Sequence, residues 1–544
     1  MPGSSVRWAI VVAPGMGATQ YSPRATRLVL SGRRFVAADA TNGSGLIASG
    51  GMPTVLRLPA VLCLVLATLA GCGSGGDARR SLALDDCRLP RLATAARCGT
   101  VTVPENRDKA GGRTIGIHVA VLPANTLSPR PDPLLILAGG PGQAASGLAT
   151  FAARLNEIRR TRDVVLVDQR GTGRSSPLVC EAYSEAGLKA AMLETDPMPR
   201  AKTCAEELAK SGIDASRYTT AAFVADLEAV RTALGAPRWN LWGGSYGTRV
   251  ALDYLRRHPE RVRTVTLDGV APPDMIVSLD VWTTRERALD ALFVRCRTSP
   301  ACATTMPDPG ATLDAIGREL GPGGREIAFV DPATGEARRM PGSIDGVIGL
   351  LQPLLYSPDT AAMIPALLGR ARDGDLAPLV ATANAFTGEL VNQMNIPLHY
   401  SVTCAEDVPR ADAALRERAL AGKRSARLAR LALAICDVWP RGGAPADAFT
   451  PVTSGVPALI LSGGLDPVTP PANGDTVART LANHRHVVAP GYGHIVSPHA
   501  CAPRLLAAFV ADAGFDKLPG DCVRQLEAST PPALWIGLLG PGAP

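Results

Sequence analysis

The chain has 544 residues, 46% hydrophobic and 19% charged, which is a globular composition too long for one small core. It calls for two domains, or one large domain with an insertion. The net charge of +7 does not point to nucleic acid. Residues 1–71 hold Arg7, Arg24, Arg27, Arg33, Arg34 and Arg57 against Asp39 alone, leaving about +2 for the rest, and no basic stripe interleaved with aromatics is present.

Residues 52–71 begin with Met52, carry one early arginine (Arg57), continue in a short apolar run and end in small residues. That is the pattern of a secretory signal peptide, too short to span a membrane. Its end, Leu69-Ala70-Gly71-Cys72, resembles the bacterial lipobox. The resemblance implies that Cys72 is lipidated and becomes the first mature residue. Residues 1–51 are expected to be an upstream extension from a misplaced start codon, or disordered. Residues 72–86 read as a linker that opens Gly73-Ser74-Gly75-Gly76. The protein is therefore expected to be exported and lipid-anchored to a bacterial membrane, facing the periplasm or the exterior, with no other membrane contact.

Ten further cysteines follow Cys72: Cys87, Cys98, Cys180, Cys204, Cys296, Cys302, Cys404, Cys436, Cys501 and Cys522. An even number in an exported chain implies disulfides. They fall into neighbouring pairs, and sequential pairing is expected because short loops close most readily, although sequence does not fix connectivity. No Cys-x-x-Cys occurs and no histidine lies at ligand spacing from these cysteines. No metal and no cofactor are expected.

Residues 99–104 and 114–122 alternate β-branched residues and read as antiparallel opening strands. The unbroken apolar runs near 134–137 and 164–167 read as strands buried on both faces, each ending in a glycine-rich turn. Helices are expected near 152–160, 221–235 and 248–257, and a strand at 262–267. Alternation of buried strands with helices predicts a mostly parallel, doubly wound sheet covered on both faces. The pattern lapses from 274 to 450, where the sequence is mainly helical. It resumes with a strand near 456–463, a helix near 473–482 and a strand near 486–489. The expected organisation is a core of 87–273 and 451–523, a lid domain inserted at 274–450, and a C-terminal tail at 524–544.

Trp239–Thr248 is a strand running into a helix through Gly243-x-Ser245-x-Gly247. A serine at the apex of so tight a turn exposes its hydroxyl, and glycines on either side avoid collision. A nucleophilic serine needs a base, and the base needs an acid to orient it. Asp466, in the turn Gly463-Gly464-Leu465-Asp466-Pro467, and His494, in Gly491-Tyr492-Gly493-His494, each follow a strand. Asp268 also ends a strand and is the rival acid. Among the other histidines, His118 and His486 fall within strands and His258 ends a helix, while His399, His484 and His499 lack a glycine turn after a strand. The order Ser245, Asp466, His494 is that of α/β-hydrolases. The backbone N–H groups of Tyr246 and Gly140 are the candidates for an oxyanion hole.

Gly139-Gly140-Pro141-Gly142, Asp168-Gln169-Arg170-Gly171-x-Gly173-x-Ser175 and Gly243-Gly244-Ser245-Tyr246-Gly247 together resemble the prolyl iminopeptidase group of α/β-hydrolases. The export signal, the paired cysteines, the segment from Cys98 to Glu105 and Gly463–Pro470 look like its secreted tripeptidyl-aminopeptidase-like branch, over about 87 to 522. One departure is Ala138, where that group often has histidine, so the following loop is expected to be anchored differently. The resemblance implies a serine exopeptidase that cleaves short peptides from the N-terminus by an acyl-enzyme route, most active once His494 is neutral. It also implies that lid carboxylates grip the substrate's free amine, for which Glu406 and Asp407 are the candidates. A small-ester or amide hydrolase is the alternative, because the triad does not separate esters from amides. A lipoprotein that kept the fold only for binding would have a disrupted triad.

Overall fold

The structure is a computed structural model and describes residues 82–184, 196–321, 324–331 and 334–536. The expected extension 1–51, the leader 52–71 and Cys72 lie outside the described residues, as do the linker up to 81 and the tail from 537.

In chain order the strands are β1 (Asp85–Cys87), β2 (Ala96–Pro104), β3 (Thr114–Leu122), β4 (Leu134–Leu137), β5 (Val164–Val167), β6 (Trp239–Gly244), β7 (Val262–Asp268), β8 (Arg325–Val330), β9 (Ala337–Gly342), β10 (Ala458–Gly463) and β11 (His484–Ala489). Among the described residues nine of them form one sheet, in the spatial order β1-β2-β3-β5-β4-β6-β7-β10-β11. The pairings from β1 through β3 to β5 are antiparallel. Every pairing from β5 onward is parallel. All four residues of β4 and of β5 are buried. Leu135 and Leu137 point into one apolar core, Leu134 and Ile136 into the other. Burial on both faces is why these strands read as unbroken apolar runs.

Helix α1 (Thr220–Leu234) starts where the Thr219 side chain accepts the Ala222 N–H, and ends at Gly235 in the left-handed region, φ 66°. Helix α2 (Tyr246–Arg257) leaves β6 directly. The helix expected at 152–160 is instead two short pieces, Ala149–Arg154 and Asn156–Arg159. Leu155 breaks them at φ −79°, ψ 44° and is buried in the core, so packing overrides the local preference.

Strands β7 and β10 are parallel neighbours, with Val265 opposite Ala458. The chain between them leaves the sheet and returns, and this excursion is the insertion. Its helices include α3 (Val277–Thr298), α4 (Ile344–Leu354), α5 (Pro358–Arg372) and α6 (Ile396–Glu406). It also contains the β8–β9 hairpin, which the mainly helical reading did not include. Leu289, Phe293, Leu313, Ile327 and Leu351 belong to an apolar core of their own. Leu398, Val402 and Trp439 instead join the core beneath the sheet. The stretch 274–450 thus packs in two ways, its first part on itself and its last part on the sheet's own core.

The five disulfides join Cys87–Cys98, Cys180–Cys204, Cys296–Cys302, Cys404–Cys436 and Cys501–Cys522, the sequential pairing. The tail docks on the insertion. The Trp535 N–H donates to the Ala362 carbonyl at 2.9 Å, and Leu534 and Ile536 pack against the insertion's core. Among the described residues no helix is long and apolar enough to cross a membrane.

Candidate active site

Ser245 stands between the end of β6 and the start of α2 at φ 56°, ψ −128°. For a residue with a Cβ this is a strained conformation, held here by surrounding contacts. Its N–H donates to the Asp268 carbonyl at 2.9 Å. A Cβ at Gly243 would strike the Gly247 carbonyl, and one at Gly247 would strike the Leu137 carbonyl. Backbone therefore passes backbone where the motif has glycine. The Ser245 side chain makes no capping hydrogen bond to α2. It lines a cavity of about 450 Å³ together with Tyr246, Gly139, Gly140 and His494.

Asp466 and His494 meet. The Asp466 carboxylate (Oδ2) accepts from His494 Nδ1 at 2.8 Å. The same carboxylate accepts the N–H groups of Val468 and Thr469 and the Thr469 hydroxyl, each at 2.8 Å. Burial alone would push this carboxyl up, but the facing His494 and these donors hold it below the ordinary aspartate range. The carboxylate is thus kept charged, and it fixes which imidazole nitrogen carries the proton. The rival Asp268 is spent elsewhere. Its carboxylate accepts the N–H groups of Val496 at 2.8 Å and Ser497 at 2.7 Å, so it fastens the loop that carries His494.

Tyr246 opens α2, and the first N–H groups of a helix have no intrahelical acceptor. On the facing loop Gly139 lies so close that a Cβ there would come within 3.1 Å of Ser245 Cβ. The anchor that Ala138 does not supply comes from the insertion. The Asn395 N–H donates to the Gly142 carbonyl at 2.8 Å, the Gln143 amide to Gln393 Oε1 at 3.1 Å, and His399 Nδ1 lies 3.2 Å from the Pro141 carbonyl. Burial lowers the His399 pKa, so the ring stays neutral and Nδ1–H is the donor.

The Asp168–Ser175 motif holds the floor of the site. Asp168 accepts the Ser146 N–H at 2.8 Å and the Arg174 N–H at 3.0 Å. The Gln169 amide donates to the Tyr246 hydroxyl at 3.3 Å. Arg170 forks onto Asp226 through two 2.7 Å bonds, with both side chains fully buried.

Two family models match the sequence: "alpha/beta hydrolase fold" over residues 132–301 and "TAP-like protein" over 424–522. The serine protease Hip1 of Mycobacterium tuberculosis is 24% identical over 485 residues, covering 78% of this chain and 89% of that protein. The tripeptidyl aminopeptidase of Streptomyces lividans is 32% identical over 217 residues, covering 36% of this chain and 39% of that one. The proline iminopeptidase of Xylella fastidiosa is 34% identical over 143 residues, 26% of this chain and 34% of that one. The chain has the α/β-hydrolase fold, and the relatives it is similar to are named as peptidases.

In this α/β-hydrolase fold the expected amine-gripping carboxylates do not reach the cavity. Glu406 and Asp407 are 3% and 1% exposed and are absent from its lining. Glu406 accepts the Thr220 N–H at 2.7 Å and the Thr220 hydroxyl at 2.8 Å. That hydroxyl lies 2.6 Å from the Tyr246 hydroxyl. Burial pushes the Glu406 carboxyl up to about 7, with the Arg249 charge pulling the other way. Asp407 pairs with Arg249 at 3.0 Å and with Arg410 at 3.3 Å, and accepts the Ser278 N–H. A buried carboxylate already facing two guanidiniums is not free to hold an ammonium group. The adjacent pair therefore fastens α6 to α1, α2 and α3 rather than contacting substrate.

Several cavity residues carried no signal in the sequence. Trp282, Arg285, Tyr356, Met394 and His399, all from the insertion, line it with Ser245. Thr469, which touches both Asp466 and His494, sits in the same Asp-Pro-Val-Thr turn as the acid and was within reach of the motif.

Proposed function

We propose that this protein is a serine exopeptidase that removes short peptides from the N-terminus of its substrates. Ser245 is the nucleophile, His494 the general base and then the general acid, and Asp466 the residue that holds the imidazole in its tautomer. The observation that carries the reading is the 2.8 Å contact of Asp466 with His494 Nδ1, on a histidine that shares one cavity with Ser245. As Oγ attacks the carbonyl carbon, the free imidazole nitrogen takes the hydroxyl proton. Negative charge gathers on the carbonyl oxygen, where the N–H groups of Tyr246 and Gly140 receive it. The imidazolium then gives its proton to the departing amine. Water, activated by the same base, cleaves the acyl-enzyme.

The insertion acts as the lid. It walls the cavity opposite Ser245, and about 450 Å³ is the size of a small-ligand site, roughly 300–1,000 Å³. Such a space takes a few residues and excludes a folded substrate. We also propose export and lipid anchoring at Cys72, which the signal-like leader and the five disulfides support.

The test is labelling by a serine-directed phosphonate, with turnover of aminoacyl and tripeptidyl anilides beside short-chain nitrophenyl esters. Labelling lost in Ser245→Ala and anilide turnover are the expected results. Labelling that persists in Ser245→Ala would sink the assignment. Esters turned over while every anilide is refused would make the protein an esterase. Cys72→Ala should move the protein from the membrane to the soluble fraction.

A further inference from the structure

We infer that Arg285 is a specificity residue that receives a carboxylate of the substrate on the leaving-group side of the scissile bond. The inference rests on the triad reading above and adds to it the chemistry of the group that departs.

Among the described residues no aspartate or glutamate lines the cavity, and Arg285 is its one cation. The guanidinium is held by neutral partners. Nη1 donates to Gln352 Oε1 at 3.0 Å and Nη2 to the Tyr356 hydroxyl at 2.5 Å. It lies 5.4 Å from the Tyr356 ring centre and 5.9 Å from that of Trp282. Nε is buried with no hydrogen-bond partner. The acidic residues nearest along α3 are committed elsewhere. Glu286 binds Arg424 and Ser425, and Asp280 accepts the Ile276 N–H. Among the described residues no carboxylate lies within ion-pair distance of Arg285.

A guanidinium in a largely apolar, half-enclosed space, with donors to spare and no counter-charge, is an unbalanced electrostatic site. A planar carboxylate matches the fork in shape and charge. Neutral aromatics and an amide fix the side chain without quenching it.

Position decides which end of the substrate meets it. Tyr356 is the hinge between Arg285 and His494. Its hydroxyl takes the Arg285 hydrogen bond, its carbonyl accepts the His494 N–H at 3.0 Å, and its ring stands edge-on to the His494 ring at 5.3 Å. The histidine hands its proton to the departing amine, so that amine leaves along the His494 wall. The two centroid steps of 5.4 and 5.3 Å bring the fork within reach of a leaving fragment of one to three residues, at about 3.5 Å per extended residue. The carboxylate is either the free C-terminus of a short leaving fragment or an acidic side chain upon it. In the first case the cavity measures substrate length from the C-terminal end.

The test needs the purified protein and two peptide series. In the first, alanine peptides of increasing length are offered as free acids and as C-terminal amides. In the second, all peptides are amidated and carry Asp or Asn near the C-terminus. Wild-type kcat/KM should favour the carboxylate form by about tenfold to hundredfold in one series, the range of a charge-assisted hydrogen bond. The series that responds identifies which carboxylate is read. In Arg285→Met the ratio should fall to near one, and in Arg285→Lys it should lie between, because a point charge replaces a fork. Equal wild-type rates in both series would overturn the inference without any variant, as would a ratio that survives in Arg285→Met. Phosphonate labelling and anilide turnover are run alongside. If they succeed while the ratio is one, only the role of Arg285 falls. If they fail in the wild type, the reading of the triad falls.

Discussion

Replacing Glu406 by glutamine isolates one buried carboxyl and its coupling to pH. Burial pushes Glu406 from 4.5 up to about 7. Between those values the native protein keeps a proton that the unfolded chain has released, so the unfolding free energy falls as pH rises. The contribution is complete below the unfolded value of 4.5 and is lost as pH climbs through about 7. At about 1.4 kcal/mol per pH unit, the loss between about pH 5 and about pH 8 amounts to roughly 2 to 3 kcal/mol. Glutamine keeps an oxygen for the Thr220 N–H but turns a donor toward the Thr220 hydroxyl, reversing the hydrogen-bond order toward Tyr246. That costs about 1 kcal/mol at any pH. Urea unfolding with the disulfides intact, at both pH values and for both proteins, gives two differences. Other titrating groups cancel in each. The variant should gain on the wild type by roughly 2 to 3 kcal/mol between the lower and the higher pH. An unchanged difference would refute the burial argument.

Three further outcomes are expected. Asp466→Asn should lower kcat on an anilide by about 10³- to 10⁴-fold, since the amide stabilises the wrong tautomer of His494; a loss below about tenfold would remove Asp466 from the triad. Arg170→Met should destabilise the fold by about 3 kcal/mol, read as a shift in denaturant midpoint, because it leaves the fully buried Asp226 with only the partly exposed Arg107. Truncation after Thr530 removes the Trp535 and Pro532 backbone contacts and the packing of Leu534 and Ile536. It should cost about 2 kcal/mol and speed protease cutting within the insertion, whereas unchanged cutting would show that the tail does not brace it.

The half of the site built on the sheet could be read from local pattern. β4, β5, β6 and β10 are buried on both faces, so each is an apolar run, and each ends in a turn with a glycine whose added Cβ would collide with its surroundings. The positions of Ser245, Asp466 and His494 follow from strand ends. The insertion obeys no such rule. Arg285 is one of several arginines on α3, and only contacts with Gln352 and Tyr356, more than sixty residues away, turn it toward the cavity. Glu406 and Asp407 show the converse. An acidic pair at a helix end looks the same whether it faces solvent, ligand or, as here, Thr220 and Arg249. The β8–β9 hairpin did carry a signal, since Ile327 and Phe329 are buried between exposed neighbours. The helical sequence around it masked that alternation.

The disulfides bear on how the protein is made. Each of the ten cysteines is joined to the one that follows or precedes it among them, over separations of 6 to 32 residues. If the protein is exported as proposed, its N-terminus enters the oxidising compartment first and its thiols arrive in that same order. Oxidation of each newly delivered pair therefore yields the native set directly, and no bond has to wait for a distant partner. Maturation of such a chain calls on an oxidase and makes little demand on a disulfide isomerase.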